Sequence, residues 1–146
     1  MSVRDAWIKA VLDEELPKIE ELQDSIGYRW EIERDDPLLW VKSHPRTGES
    51  GGTLRLLRLD LSSYQNEGLI AEFCNPEKRE DCGRAWWPSD KDQAFKLTNH
   101  ATPWICLPGF KTYHSAPGNH GGYRWEEHPI SQALISLTDH LQKGDM

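Results

Sequence analysis

No stretch of this chain approaches the ~20 consecutive apolar residues that a membrane-spanning helix needs. Its first residues, MSVRDAWIKA, lack the uninterrupted apolar run of a signal peptide. Both absences set the expectation of a soluble, cytoplasmic protein with no membrane partner. Basic charge is scarce as well. Seventeen Lys and Arg face 24 Asp and Glu, a net charge of −7, which counts against sequence-independent binding to phosphate backbones and so against a nucleic acid partner. Cysteine is limited to Cys74, Cys82 and Cys106, with no Cys-x-x-Cys. Three thiols cannot all pair within one chain, and the reading is free thiols in a reducing compartment. Internal repeats are absent, and 146 residues read as one domain, 1–146, without a second unit.

What is present begins with helix. Val3, Trp7, Ile8, Val11, Leu12, Leu16, Ile19, Leu22 and Ile26 recur at three- and four-residue intervals and leave an acidic outer face. Ser2 followed by Asp5 is a start signal. Pro17 removes a backbone donor and disfavours helical geometry at Leu16, predicting a kink or two short helices that meet there. From Gly27 the period changes to two: Tyr28, Trp30 and Ile32 alternate with Arg29, Glu31 and Glu33. Further strands are predicted over Leu38 to Val41, Thr53 to Leu61 and Leu69 to Phe73. In the third of these Leu54 and Leu56 lie on one phase and Leu57, Leu59 and Leu61 on the other, which predicts a bulge or a strand covered on both faces. Cys74 to Asp92 reads as loop, with Trp86 and Trp87 folding back onto the core. Ile130, Ala133, Leu134, Leu137 and Leu141 mark a final amphipathic helix with Pro129 in its first turn. The fold class is therefore α+β: an N-terminal helix, a four-stranded antiparallel meander, an irregular segment and a C-terminal helix.

Chemistry concentrates in that irregular segment. Trp104-Ile105-Cys106-Leu107-Pro108-Gly109 reads as a short strand stopped by a Pro-Gly turn, with a partly exposed thiol at the junction. His100, His114, His120 and His128 lie close in sequence, and an imidazole or cation beside a thiol favours the thiolate. Equally, Cys106 has the composition of an ordinary buried apolar residue. Cys106, His114, His120 and His128 also supply zinc-ligand types, although their spacings of eight, six and eight residues match no compact finger. A papain-type hydrolase ranks lower, because its local cysteine motif is missing.

Taken in order, these segments resemble the ubiquitin-conjugating (E2) family. Leu59-Asp60-Leu61-Ser62-Ser63-Tyr64 stands where that family has the strand leading into its Tyr-Pro loop, and Leu69 to Phe73 where it has the next strand. Ile105-Cys106-Leu107 coincides with the family's Ile-Cys-Leu around the catalytic cysteine. Trp125, Pro129 and the following helix are similar to its Trp-x-Pro and the helix after it. The family's loop prolines are replaced by Gln65-Asn66-Glu67-Gly68, its His-Pro-Asn has only Asn99-His100 as counterpart, and Lys111 to Tyr123 is an insertion relative to ordinary eukaryotic members. In these respects the chain looks more like the divergent E2-like proteins of bacterial operons that also carry ubiquitin-like and E1-like genes.

The resemblance implies a UBC fold and a transferase needing no cofactor. As its catalytic cysteine, Cys106 would accept the C-terminus of a ubiquitin-like protein from an E1-like activating enzyme as a thioester and pass it to an amine. Asn99 would be the amide donor to the oxyanion, with turn residue or cap as its ordinary role. His114 or His120 would tune the thiol or act as base. Two alternatives stand beside this reading: an E2-like protein whose Cys106, His114, His120 and His128 bind zinc, and a non-catalytic module that only docks a ubiquitin-like protein.

Overall fold

The computed structural model describes residues 2–44, 53–88, 94–97, 100–115 and 122–144. Helix α1 covers Val3–Ile26 and starts as its sequence predicts. Ser2 Oγ accepts from the Asp5 backbone N–H at 3.0 Å, and the Asp5 carboxylate accepts from the Ser2 N–H, closing a capping box. The helix ends at Gly27, whose N–H donates to the Gln23 carbonyl. Pro17 lies inside it, and the helix continues through it as one element, so of the expected kink or two short helices the second is corrected. The reason is burial on both sides of the proline. Ile8, Val11 and Leu12 before it and Ile19 after it are all buried, and at about 1.5–3 kcal/mol per buried side chain they outweigh the ~3 kcal/mol that an interior proline costs. Pro17→Ala restores one helical donor, and is expected to raise stability by about 2 kcal/mol after allowance for the freer unfolded chain. A urea midpoint equal to or below wild type would contradict this.

The main sheet is an antiparallel meander of five strands, not four, in the order β1 (Arg29–Asp35), β2 (Leu38–His44), β3 (Arg55–Asp60), β4 (Ile70–Asn75) and β5 (Lys78–Cys82). Four correspond to the predicted strands. The fifth comes from the stretch read as loop, and its side chains explain the miss: Lys78, Arg79, Glu80 and Asp81 are all exposed, so no two-residue apolar period exists to read. Asn75 Oδ1 accepts from the Glu77 N–H and forms the turn that sends the chain back.

The sheet is covered on both faces. Trp30, Leu39, Val41, Leu57, Leu59 and Phe73 belong to the principal core. Trp40, Leu56 and Cys74 form a second cluster, with Leu38 and Cys82 packed against it. This resolves the phase slip of β3, where Leu57 and Leu59 serve one face and Leu56 the other. Cys74 and Cys82, directly opposite in the β4/β5 register, are joined as a disulfide. That corrects the expectation of free thiols at Cys74 and Cys82, since an odd count leaves room for one pair, and thiol usage ceases to argue for a reducing compartment. No helix among the described residues is long and apolar enough to cross a membrane.

Both tryptophans after β5 fold back, as expected. Trp87 is buried edge-on against Phe73, with ring centroids 4.9 Å apart, and donates to Glu72 Oε1 at 2.6 Å. Trp86 packs at the margin of the core. A two-stranded ribbon follows, β6 (Phe95–Lys96) against β7 (Trp104–Ile105), then the short helix α2 (Lys111–Ser115) and the long helix α3 (Ile130–Gly144). All five apolar positions predicted for the last helix are buried. The Trp30 indole N–H donates to Thr138 Oγ1 at 3.0 Å, tying α3 to β1.

Candidate active site

Cys106 leaves β7 half-buried, and it is the free cysteine of the chain. Its backbone N–H donates to the Ala94 carbonyl at 2.6 Å, which ties the thiol-bearing residue to the chain entering β6. The residues on either side, Ile105 and Leu107, are buried. Such flanking anchors hold a strand end in place while leaving the residue between them at the surface. The Thr112 hydroxyl donates to the Ile105 carbonyl at 3.3 Å, so α2 caps the same strand end.

The turn after Cys106 is locked by contacts distant in sequence. Leu69 N–H donates to the Gly109 carbonyl at 2.8 Å, and Lys111 N–H donates to the Leu69 carbonyl at 2.8 Å. Together they form a short parallel bridge between Leu69 and Phe110. Gly109 has φ 94°, a conformation other residues resist. A Cβ on Gly68, φ 114°, would lie 2.9 Å from both the Gly109 carbonyl oxygen and the Lys111 nitrogen. Glycine at 68 is what allows the two chains to meet.

Beneath the turn lies an aromatic and imidazole stack. His114 Nε2 accepts from the Gly109 N–H at 3.0 Å, which puts the proton of the neutral ring on Nδ1. The ring sits 4.8 Å from that of His128 and 5.0 Å from that of Tyr123, and Tyr123 stacks on His128 at 14°. Tyr64 donates to the His128 carbonyl at 2.7 Å, and the Tyr123 hydroxyl donates to the Tyr64 carbonyl. Burial, with nearby carboxylates of Glu15 and Glu126 at Tyr64 and of Glu126 at Tyr123, holds both phenols well above their ordinary range, so they act as fixed donors.

Burial also holds His128 below the ordinary histidine value of 6.5, with the charge of His114 adding to the effect and Glu127 opposing it. Because the folded state takes up this proton less readily than the unfolded chain, stability is highest above about pH 6.5 and falls as pH drops below it. Urea midpoints are therefore expected to be lower at pH 5.5 than at pH 7.5, and His128→Gln is expected to flatten that dependence. Parallel pH profiles for the two proteins would show that His128 does not carry it.

Upstream of β7, Arg84 is an unforeseen organiser. Its guanidinium donates to the Leu97 carbonyl at 2.9 Å, to that of His100, and to that of Ala101 at 3.3 Å. One exposed side chain thus fixes the carbonyls of the segment leading to Cys106. No local pattern announces such a role, because Arg84 sits in a charged stretch that reads as solvated loop.

Of the residues singled out by sequence, the structure brings His114 and His128 into contact and sets His114 against the turn that follows Cys106. The link runs through the Gly109 backbone. His100 lies elsewhere, its Nδ1 accepting from the Trp104 indole at 3.4 Å. Asn99 and His120 lie outside the described residues, as does the middle of the Lys111 to Tyr123 insertion. Among the described residues no three His, Cys, Asp or Glu side chains are arranged to hold a metal ion. A polar cleft of about 240 Å³ opens beside the stack, lined by Asn66, Glu67, Lys111, His114, Ser115 and Tyr123. A more apolar groove of about 280 Å³ runs between β4 and β7, from Leu69 to Glu72 on one wall and Thr102 to Ile105 on the other. No family model matches the chain, and no curated protein matches it.

Proposed function

We propose that the protein is an E2-like conjugating protein with a UBC-like fold, whose Cys106 accepts the C-terminus of a ubiquitin-like protein as a thioester and passes it to an amine. The observation that carries this reading is the setting of Cys106. A half-exposed free thiol stands at the end of a short strand, between two buried neighbours and before a turn locked by backbone hydrogen bonds. The helix, meander, irregular segment and helix follow one another in the order that the family resemblance implies.

In the loading step the Cys106 thiolate attacks the carbonyl carbon of the activated C-terminus. The tetrahedral intermediate collapses with expulsion of the activating enzyme's cysteine thiolate, which takes up a proton. In the discharge step an amine attacks the new thioester, loses a proton and releases the Cys106 thiolate. The developing oxyanion calls for a nearby donor, the role proposed for Asn99. His114 and His120 are the proposed imidazoles of the site. Through Gly109, His114 contributes by holding the turn beside the thiol. The pathway is proposed to be a bacterial one with an E1-like partner.

The test is incubation with a ubiquitin-like protein, its E1-like enzyme and ATP, followed by a nonreducing gel. A band shift removed by thiol reductant is the expected result. Its absence, while the E1-like enzyme itself is loaded, refutes the reading.

A further inference from the structure

The Cys74–Cys82 disulfide lies in the hairpin that carries Arg79 and leads into Arg84. Strand β5 is an edge strand with exposed side chains throughout, except Cys82. Its ladder to β4 consists of Cys74 opposite Cys82 and Asn75 opposite Lys78, with a register shift between them. Cys82 packs against the apolar cluster of Trp40, Leu56 and Cys74. The disulfide closes a loop spanning only eight residues of sequence separation, and a loop that short restrains the unfolded chain less than a long one does. Its larger effect is therefore local: it holds β5 against the sheet.

Both ends of β5 carry a cation to a defined place. Arg79 lies over the Trp40 ring, 4.9 Å from its centroid, and pairs with Glu33. The Trp40 indole N–H beneath is buried and has no hydrogen-bond partner among the described residues. Two residues beyond Cys82, Arg84 grips the carbonyls of Leu97, His100 and Ala101 ahead of Cys106. The two sulfurs are unequal. Cys74 is 1% exposed, whereas Cys82 is half-exposed at the sheet edge.

We propose that Cys74–Cys82 is a thiol–disulfide exchange site, opened by a dithiol reductant attacking Cys82. Its cleavage loosens the hairpin that sets both Arg79 over Trp40 and Arg84 against the segment before Cys106. A reductant thiolate attacks Cys82 Sγ, the bond to Cys74 breaks, and Cys74 leaves as a thiolate that takes up a proton. The second reductant thiol, deprotonated, then attacks the reductant's own sulfur in the mixed disulfide and expels the Cys82 thiolate, which is protonated in turn. Two electrons and two protons have passed to the protein, and the dithiol has become a disulfide. Reoxidation runs the same exchange in reverse with a disulfide oxidant such as glutathione disulfide, which takes up the two electrons and two protons as the cysteines, eight residues apart in sequence, rejoin.

This inference does not depend on Cys106 being a thioester acceptor, and its readouts need no conjugation partner. Full-length protein oxidised with glutathione disulfide is titrated with dithiothreitol in native buffer, and thiols are located by alkylation and peptide mass spectrometry. One labelled cysteine, Cys106, is expected before reduction and all three after it. Tryptophan emission should rise in the wild type and not in Trp40→Phe, because the nearby disulfide quencher is gone. Iodoacetamide labelling of Cys106 should change on the order of fivefold, as local opening of its flanking segment becomes easier. Cys74→Ser/Cys82→Ser should show the reduced-state labelling rate with or without reductant. Failure of the pair to oxidise, reduction that requires denaturant, or reduction that leaves Cys106 labelling unchanged each overturns the proposal, and the wild-type titration decides it even if the double variant does not fold.

Discussion

Gly68→Ala is expected to lower stability by about 3 kcal/mol, the largest effect of a methyl group added at any of the described glycines. Two costs combine. Gly68 has φ 114°, and an L-residue held in left-handed backbone costs on the order of 1–2 kcal/mol. The added Cβ would also stand 2.9 Å from the Gly109 oxygen and from the Lys111 nitrogen. Neither is the yielding tip of a side chain: both atoms belong to the hydrogen bonds that join Leu69 to the Gly109 and Lys111 backbone. Relief of the clash must lengthen those bonds, worth about 1 kcal/mol each. Gly27 provides the control, because its φ is 76° and a Cβ there would meet nothing within 4 Å. Gly27→Ala should therefore show the backbone cost alone. Equal urea midpoints for the two variants would mean that the close approach at Gly68 is not energetically important. Since the same bridge locks the turn after Cys106, Gly68→Ala should also alter the alkylation rate of Cys106, whereas Gly27→Ala should not.

Most of the architecture is legible in the sequence where apolar residues repeat with a period. All five apolar positions marked in the final helix are buried, because a face that packs on the core must recur at three and four residues. The double phase of β3 was equally readable, since Leu56 and Leu57 must point to opposite faces of a strand. Strand β5 was not readable, for its energy comes from an edge ladder and a disulfide rather than from buried side chains. Pro17 does not divide the first helix for a related reason: the local penalty is real, and tertiary burial exceeds it.

The site divides along the same line. The position of Cys106 at a strand end before a turn followed from Ile105, Leu107, Pro108 and Gly109, which are neighbours in sequence. What stabilises that turn came from elsewhere. Gly68 and Leu69 reach it across the fold, Arg84 arrives from a charged loop, and Tyr64 and Tyr123 carry their hydrogen bonds to carbonyls that no side-chain pattern reveals. Backbone acceptors leave no signature in composition. His128 is the intermediate case, visible as one of several histidines, but with its contact to His114 apparent only once α2 and the start of α3 are placed together.

Loss of the Cys106 thiol has the greatest expected effect on activity. Cys106→Ala removes the only atom proposed to form the acyl bond, so adduct formation should fall by on the order of a thousandfold or more, to the limit of detection. Stability should change little, because Cys106 is half-buried and alanine keeps the backbone bond to Ala94. The disulfide dictates the control. Cys74→Ala alone would release the half-exposed Cys82 as a new thiol, and Cys82→Ala would release Cys74. Either single variant would thus offer a second acceptor absent from the oxidised protein. The informative comparison is Cys74→Ala/Cys82→Ala, which leaves Cys106 as the sole cysteine and should still form the reducible adduct. Peptide mass spectrometry under nonreducing conditions should place the modification on the segment containing Cys106. An adduct that persists in Cys106→Ala, or one that disappears from a folded Cys74→Ala/Cys82→Ala protein, would assign the acceptor to the hairpin and remove the ground for an E2-like reaction at the end of β7.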